Sequence, residues 1–285
     1  MKYLQLVLQS IAHRGIRETI KKIHGRLAKG VSRMPIYITS AKLRLLVMIS
    51  KRDKLRTTRL LGYRVTHKDI KSLYIEFKDI FKYQIYHFEP KSVVPTIIDG
   101  GGFIGLATLY FKKQFPAAHV IIFEPSPSAL PQLQRNIEQN KLDNITIIQA
   151  GLGGREESVQ FVPSETDAGK INPSGSVTVP VKPLSQYLNK SVDFLKLNIE
   201  GSELEVLREL DRAGCLDRVP ELCFEWHSFA SADQNLDECL TILRRRGYRY
   251  LINHFDYQTN RAVKPPFLVT EKTQFYLLVY ARKIS

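Results

Sequence analysis

Along most of the chain, two kinds of apolar pattern alternate, one typical of strands and one typical of helices. From Val94 onward, apolar runs of strand length are separated by segments whose apolar residues recur every three to four positions. Strands that alternate with helices are typical of a parallel sheet covered by helices on both faces. The seven predicted strands are Thr96–Asp99, Val120–Glu124, Ile145–Ala150, Asp193–Ile199, Glu221–Trp226, Tyr248–Ile252 and Phe275–Ala281.

Two features modify this regular pattern. A Pro-bearing loop, with no helix, joins the last two runs, which predicts an antiparallel final strand. Alternating residues around a polar loop between Glu157 and Val181 predict a hairpin-like excursion. We therefore predict an α/β fold with a doubly wound, seven-stranded, mostly parallel sheet and an antiparallel last strand. Two of the predicted helices are amphipathic. The apolar face of the first consists of Leu130, Leu133 and Ile137, and that of the second consists of Leu204, Leu207 and Leu210.

The region before the predicted sheet has a different pattern. Residues 1 to about 55 are predicted to be helical, because Ile16, Ile20, Ile23 and Leu27 recur at helical spacing among basic residues. Aromatic and β-branched clusters between Leu61 and Phe88 predict short strands and a helix. We therefore divide the chain into a basic helical N-terminal extension, 1–60, and a main domain, 61–285. No apolar run approaches the ~20 residues needed to cross a bilayer.

The charge of the protein is concentrated in one part of the chain. The net charge is +14, and residues 1–95 hold 21 Lys and Arg against 6 Asp and Glu, while the remainder holds 21 against 22. A catalytic groove for nucleic acid would usually carry positive charge in the catalytic domain too, so the distribution disfavours nucleic acid as a substrate. Three cysteines without a C-x-x-C pair, and the lack of a signal-peptide pattern, predict a cytoplasmic setting.

A glycine-rich turn follows the first predicted strand. Residues 99–105 read Asp-Gly-Gly-Gly-Phe-Ile-Gly, which fits both the G-x-G-x-x-G of dinucleotide sites and the D-x-G-x-x-x-G of many methyltransferases. Asp99 would repel a pyrophosphate but suits a cationic ligand such as S-adenosylmethionine. Glu124 ends the second strand 19 residues after Gly105 and is placed to accept hydrogen bonds from a ribose in either cofactor class. A plain tight turn remains a third interpretation.

Further motifs follow in a defined order along the chain. Phe123-Glu124-Pro125 closes the second strand, Ala150-Gly151-Leu152-Gly153 closes the third, and the fourth strand reads Phe-Leu-Lys-Leu-Asn-Ile-Glu-Gly-Ser-Glu from Phe194 to Glu203. With these motifs, the region from about Leu61 to Ala281 resembles the FkbM-type S-adenosylmethionine-dependent methyltransferases. That family typically has D-x-G-A-N-x-G at the turn, an acid followed by Pro after the second strand, and D-V-E-G-x-E after a lysine-bearing strand.

This resemblance implies a fold, a cofactor and a set of binding residues. The fold would be the Rossmann-like fold of class I methyltransferases, and the cofactor would be S-adenosylmethionine. Two departures affect these expectations: Gly102-Phe103 replaces Ala-Asn, and Asn198 replaces an Asp. An amide is neither a base nor a good cation ligand, so we predict no metal ion. The predicted cofactor-binding residues are Asp99, Gly101, Gly105, Glu124, Pro125, Ala150, Gly151 and Asn198.

The acceptor is expected beyond the ends of the fourth and fifth strands. An alcohol is a weak nucleophile, so a group that takes its proton is valuable there. Glu200 and His227 are the candidates for this base, although Glu200 could simply favour a helix N-terminus and His227 could be an exposed loop residue. Lys196 lies in an apolar strand and should pair with a carboxylate, in an orienting or a catalytic role. Glu203 and Glu225 are further candidates.

Several functions remain open at this point. The favoured one is O-methylation, since the resembled family is often associated with hydroxyl groups on sugars, glycolipids and secondary metabolites. The alternatives are a nucleic-acid methyltransferase that uses the basic N-terminal region, an NAD-dependent oxidoreductase, and a non-catalytic binding module. Base-amine methylation usually requires Asn/Asp-Pro-Pro-aromatic after the fourth strand, where this chain has Asn198-Ile199-Glu200-Gly201. The acceptor and the oligomeric state remain open.

The basic extension also has an apolar side. Residues 1–55 combine basic residues with an apolar stripe that could lie on an anionic membrane, at its inner face. This location would suit a membrane-attached acceptor such as a lipid-linked sugar. The same stripe could instead pack on the main domain or on a partner subunit. The residues of the stripe are Leu4, Leu8, Ile11, Ile16, Ile20, Ile23 and Leu27.

Overall fold

The computed structural model describes residues 16–50, 55–163, 169–172, 174–229, 235–254, 270 and 273–284. For residues 16–32 and 170 it describes only the backbone. Contacts divide the chain into two compact units, Met1–Ser50 and Lys51–Ser285. In the first unit, α1 (Ile16–Ile49) is a single helix of 34 residues with Pro35 in its interior. The helical prediction is thus confirmed over 16–49, whereas residues 1–15, and with them Leu4, Leu8 and Ile11, lie outside the described residues.

The second unit begins with a hairpin. Strands β1 (Arg56–Leu60) and β2 (Tyr63–His67) pair antiparallel and are followed by α2 (Ile70–Phe77), which continues into a π-helical turn at Lys78–Lys82. The carboxylate of Asp69 caps α2 by accepting hydrogen bonds from the backbone of Lys71 and Ser72. Because β1 pairs with β2, the predicted boundary at residue 60 would cut this hairpin. The structural boundary lies earlier, at residue 50.

The main sheet has seven strands, as predicted. Its order is β12-β13-β11-β10-β3-β4-β5, and β13 runs antiparallel to both of its neighbours while the pairs from β11 to β5 are parallel. The doubly wound α/β prediction, including the antiparallel last strand, is confirmed. The strands are β3 (Thr96–Gly100), β4 (His119–Phe123), β5 (Ile145–Ile148), β10 (Phe194–Leu197), β11 (Glu221–Ser228), β12 (Tyr248–Asn253) and β13 (Phe275–Lys283).

Four helices connect these strands and bury their apolar sides. They are α3 (Leu106–Gln114), α4 (Leu130–Gln139), α5 (Glu203–Arg212) and α6 (Leu236–Arg245). The predicted faces of α4 and α5 are buried, with Leu133, Leu207 and Leu210 fully inaccessible to solvent. Leu207 and Leu210 of α5 pack with residues of the parallel strands into one core, which holds β3, β4 and β10 against one another.

A second, smaller sheet accounts for the predicted excursion. Strand β9 (Val177–Pro183) lies between β6 (Gly151–Gly153) and β7 (Glu157–Val162), and β7 also pairs with the two-residue β8 (Lys170–Ile171). The run predicted as one strand, Ile145–Ala150, therefore ends at Ile148, and the chain then enters this second sheet. Short 3-10 turns follow at Leu184–Tyr187 and Cys215–Arg218.

No helix of the described ranges is both long enough and apolar enough to cross a membrane. The 34-residue helix α1 has the length but carries basic residues throughout.

Candidate functional site

The glycine turn after β3 fits closely between two neighbouring strand ends. The backbone N–H groups of Gly101 and Gly102 both donate to the Phe123 carbonyl at the end of β4, at 2.9 and 3.1 Å. On its other side, Gly101 has a φ of +78°, and a Cβ at this position would lie 1.8 Å from the Asn198 carbonyl oxygen. Only glycine allows so close a backbone contact. The turn is thus held in place by the protein itself.

A buried ion pair lies beneath this turn. Lys196 Nζ is 3.0 Å from Asp99 Oδ1, and it also donates to the carbonyls of Gly100 and Gly101 at 3.0 and 2.7 Å. Asp99 Oδ2 accepts a hydrogen bond from Thr108 Oγ1 at 2.8 Å. Two of the ammonium hydrogens are thus donated to backbone carbonyls, and the charge of Lys196 is paired with Asp99. The pairing expected for Lys196 is present, and its geometry fits positioning of the turn.

The same pair corrects the prediction for Asp99. We expected this carboxylate to face a cationic ligand, but its side chain is fully buried and its charge is balanced by Lys196. A charge compensated in this way contributes little attraction to a ligand outside the turn. Asp99 instead anchors β3 to β10 and α3.

Glu124 links the end of β4 to the glycine turn. Its carboxylate accepts hydrogen bonds from the backbone N–H of Phe103 at 2.6 Å and of Ser126 at 2.8 Å. Burial raises the pKa of Glu124 to about 7, and the two backbone hydrogen bonds oppose this rise. The Glu124 side chain is therefore partly protonated near pH 7 and becomes fully negative only at higher pH.

A first cleft lies at the carboxyl ends of β3, β4 and β10. It brings together five of the eight predicted binding residues: Gly101, Glu124, Pro125, Gly151 and Asn198. The other three, Asp99, Gly105 and Ala150, are buried and do not line it. Gly105 begins α3 with a φ of +87°, and Ala150 is buried before β6. The motifs predicted that these three residues bind the cofactor, but the residues lie behind the lining of the cleft.

Asn198 has an unusual environment within this cleft. Its side-chain oxygen Oδ1 is buried and has no hydrogen-bond partner among the described residues. Leaving such an acceptor unpaired costs roughly 1–3 kcal/mol. A ligand with an N–H or O–H donor would remove this cost, so the atom identifies a place for a polar group.

Glu200, His227 and Glu203 form a cluster beside the first cleft. The imidazole of His227 lies between two carboxylates, with Nε2 3.6 Å from Glu200 Oε2 and Nδ1 3.6 Å from Glu203 Oε1. Glu203 also accepts hydrogen bonds from the backbone of Ile199 and Gly201 and so fixes the loop that carries Glu200. The two base candidates, predicted from separate strands, are therefore neighbours.

The charge of His227 follows from this arrangement. Burial, the largest single influence, lowers the pKa of His227, but the carboxylates of Glu203, Glu200 and Glu225 together outweigh it and raise the pKa to about 9. His227 is therefore an imidazolium at neutral pH, and its ring stacks on Phe229 at a centroid distance of 5.6 Å. An imidazolium donates protons, so in the free protein His227 does not meet the requirement for a base.

A second, larger cleft of about 400 Å³ opens from the same residues. Gly101, Asn198 and Glu200 line both clefts, so the two meet at these positions. Four carboxylates line the second cleft, those of Glu76, Asp79, Glu200 and Glu225, against the cations Lys196 and His227. Its lining also includes Tyr86, whose hydroxyl donates a hydrogen bond to Glu225.

Sequence analysis missed part of this second cleft. Glu76, Asp79 and Tyr86 belong to α2 and the segment after it, which precede every recognised motif. Burial raises the pKa of Glu76 to about 8 and also raises the pKa of Glu225. The aromatic cluster at Tyr83–Phe88 was visible in the sequence, but no local pattern relates it to the end of β11. Among the described residues, no three His, Cys, Asp or Glu side chains are grouped so as to hold a metal ion.

Comparison with known proteins identifies relatives of the chain. The model of the methyltransferase FkbM domain matches residues 98–250. Methyltransferase 1 of Beauveria bassiana (strain ARSEF 2860) is 30% identical over 219 residues, which are 65% of this chain and 85% of the relative. Methyltransferase sdnD of Sordaria araneosa is 27% identical over 199 residues, which are 56% of this chain and 76% of the relative.

Solved structures resemble the chain more distantly. A crystal structure of methyltransferase FkbM from Methylobacillus flagellatus KT aligns with a TM-score of 0.44 at 19% identity. The alignment covers 89% of this chain and 60% of that protein.

Proposed function

Because this chain belongs to the FkbM family of methyltransferases, we propose that it methylates a hydroxyl group and that Glu200 accepts the proton. The cofactor is S-adenosylmethionine, which when bound supplies an electrophilic methyl group on a sulfonium. The observation that carries this proposal is the position of Glu200. It lines both clefts, at the point where a donor in the first would meet an acceptor in the second.

The polar groups that line the first cleft match the chemistry of this cofactor. Glu124 would accept hydrogen bonds from the ribose hydroxyls, and the unpaired Oδ1 of Asn198 would receive a donor such as the ammonium group. The cofactor carries a sulfonium and an ammonium, so acidic groups in the lining do not oppose its binding. Pro125 and Gly151 would complete the wall of the first cleft.

The proton of the acceptor hydroxyl needs a destination during methyl transfer. Glu200, protonated His227 and Glu203 together carry a net charge of −1, so uptake of one proton makes the cluster neutral. Glu200 is the more accessible of the two carboxylates, with 22% of its side chain exposed against 2% for Glu203. Glu203 is also engaged with the backbone. We therefore assign the base to Glu200, with His227 and Glu203 as positioning residues.

The lining of the second cleft supports a polyhydroxylated acceptor. Carboxylates accept hydrogen bonds from several hydroxyl groups at once, which suits a sugar, a glycolipid or a hydroxylated secondary metabolite. Since the pKa of Glu76 is raised to about 8, this group is largely neutral at pH 7, and the other acidic side chains face the cations Lys196 and His227, so the cleft offers no excess of positive charge to the phosphates of a nucleic acid. This balance of charges in the lining favours a neutral acceptor.

Labelling can test this function. The protein is incubated with methyl-labelled S-adenosylmethionine and a lysate separated into lipid, glycan, small-molecule and nucleic-acid pools. We expect label in a glycan, lipid or small-molecule pool, in an ether that resists mild alkali. Glu200→Gln should slow labelling by about 10² to 10⁴, while Glu205→Gln, at an exposed position on the next helix, should not slow it. Label in nucleic acid, on nitrogen, or in an alkali-labile ester would overturn the proposal.

A further inference from the structure

The C-terminal half of α1 presents an apolar stripe to solvent. Six large apolar side chains, 49–74% exposed, lie along the 16 residues that end this helix. Scattered exposed apolar residues are common, but a continuous row marks an interaction surface. We propose that this stripe binds the surface of an anionic phospholipid bilayer. The residues of the stripe are Met34, Tyr37, Ile38, Leu45, Met48 and Ile49.

The spacing places these residues on one side of the helix. Successive members are separated by three, one, seven, three and one positions, and exposed Ala41 fills the gap between Ile38 and Leu45. Residues three, four and seven apart share a helix face, so the stripe is continuous over about four turns. A helix that lies flat in a membrane interface inserts such a face among the upper parts of the acyl chains.

Basic residues flank the stripe. Lys42 follows Ala41 and Arg44 precedes Leu45, and both are exposed. Their long side chains can lie along the lipid while their charged ends reach the phosphates. No Asp or Glu occurs between Glu18 and Asp53, although this stretch holds nine Lys and Arg. The stripe and its flanking basic residues therefore match a partner that has an apolar interior and a negatively charged surface.

An anionic bilayer satisfies both requirements at once. A nucleic acid would neutralise the charges but leave the apolar stripe in water. A second copy of the helix would cover the stripe but bring two strongly basic segments together without a compensating acid. The lipid surface covers the apolar side chains and pairs the charges with phosphate groups, each basic residue strengthening the attraction.

Vesicle flotation of the full chain tests this inference. We expect the protein to float with phosphatidylcholine vesicles that contain phosphatidylserine, at low salt, and to bind vesicles of phosphatidylcholine alone much more weakly. High salt should weaken the binding. Replacing Lys42 and Arg44 with Gln should lower the affinity about fivefold for each charge.

A matched pair of double variants separates the stripe from general effects of charge. Ile38→Glu with Met48→Glu should reduce vesicle affinity at least about tenfold, because the glutamates prevent burial of this face. Val93→Glu with Leu251→Glu also introduces two glutamates in place of exposed apolar residues, but outside the stripe, and should reduce affinity much less. S-adenosylmethionine binding by both variants serves as the control for folding.

Four results would overturn the proposal. The first is a wild-type protein that stays in solution with phosphatidylserine vesicles at low salt. The second is flotation that is equally strong on neutral vesicles, and the third is binding unaffected by the Ile38 and Met48 substitutions. The fourth is a wild-type dimer in ultracentrifugation that the same substitutions convert to a monomer, since the stripe would then be a subunit interface.

Discussion

Lys196 and Asp99 face each other on neighbouring strands of the sheet, with Nζ 3.0 Å from Oδ1 and both side chains almost fully buried. They are partners in the register of β10 and β3, so the ion pair lies directly under the glycine turn that leaves β3. Lys196 also donates to two carbonyls of that segment. The shape of the first cleft thus depends on a charge that does not line this cleft.

Removal of Lys196 should destabilise the protein. In Lys196→Met the buried Asp99 loses its counter-charge, and we expect the free energy of unfolding to fall by roughly 3–5 kcal/mol. Adding Asp99→Asn should recover a large part of this loss, since both charges are then absent. Urea unfolding measures each value. The exposed pair of Arg155 with Glu157 supplies a control, in which Arg155→Met should leave the midpoint unchanged.

Glu200→Gln should lower turnover by about 10² to 10⁴ and leave cofactor affinity nearly intact. The amide keeps the shape of the side chain but cannot accept the proton. Steady-state kinetics and calorimetry with S-adenosylmethionine measure the two effects. Glu205→Gln, half exposed on α5, is the matched control. Near-normal turnover of Glu200→Gln would show that the proton leaves by another route.

The raised pKa of His227 should make stability depend on pH. A histidine whose pKa rises from 6.5 to about 9 on folding stabilises the native state fully below pH 6.5, and this contribution is lost as the pH rises through about 9. The contribution is of the order of 3 kcal/mol at low pH. Urea midpoints should therefore differ between wild type and His227→Gln near pH 6 and converge near pH 10. A pH-independent difference would contradict the assigned charge.

Binding of S-adenosylmethionine should strengthen as the pH rises through about 7. The carboxylate of Glu124 is the form that accepts hydrogen bonds from ribose hydroxyls, and its pKa in the free protein is raised to about 7. Titration calorimetry at several pH values measures the effect. Glu124→Gln should weaken binding by roughly 1.5–3 kcal/mol at high pH and remove the pH dependence. A pH dependence that persists in this variant would assign it to another group.

Gly101→Ala should prevent the glycine turn from forming as it does now. The new Cβ would lie 1.8 Å from the Asn198 carbonyl, and alanine is strained at a φ of +78°. We expect a loss of roughly 2–5 kcal/mol from overpacking and strain together, with loss of cofactor binding. Gly214→Ala is the matched control: its φ is +64°, but nothing lies within 4 Å of the new Cβ. It should cost only the strain, roughly 1–2 kcal/mol.

Local patterns were sufficient to predict most of the fold. The apolar runs located all seven strands of the main sheet, and the loop without a helix before β13 predicted its antiparallel direction. The error at Ile145–Ala150 arose because an apolar run shows no break where the chain leaves one sheet for another. The hairpin of β1 and β2 was divided at residue 60 because strand pairing is not visible in periodicity.

Sequence alone determined the strands, the glycine turn and the residue types at the strand ends, because side-chain alternation and turn conformation depend on a few neighbouring residues. The tertiary structure decided how those residues are used. It paired Asp99 with Lys196, 97 positions away, and set Glu76 and Tyr86 against the end of β11. It also placed two carboxylates beside His227 and so raised its pKa. Burial and the distances between charges govern these properties, and both arise only when distant segments pack together.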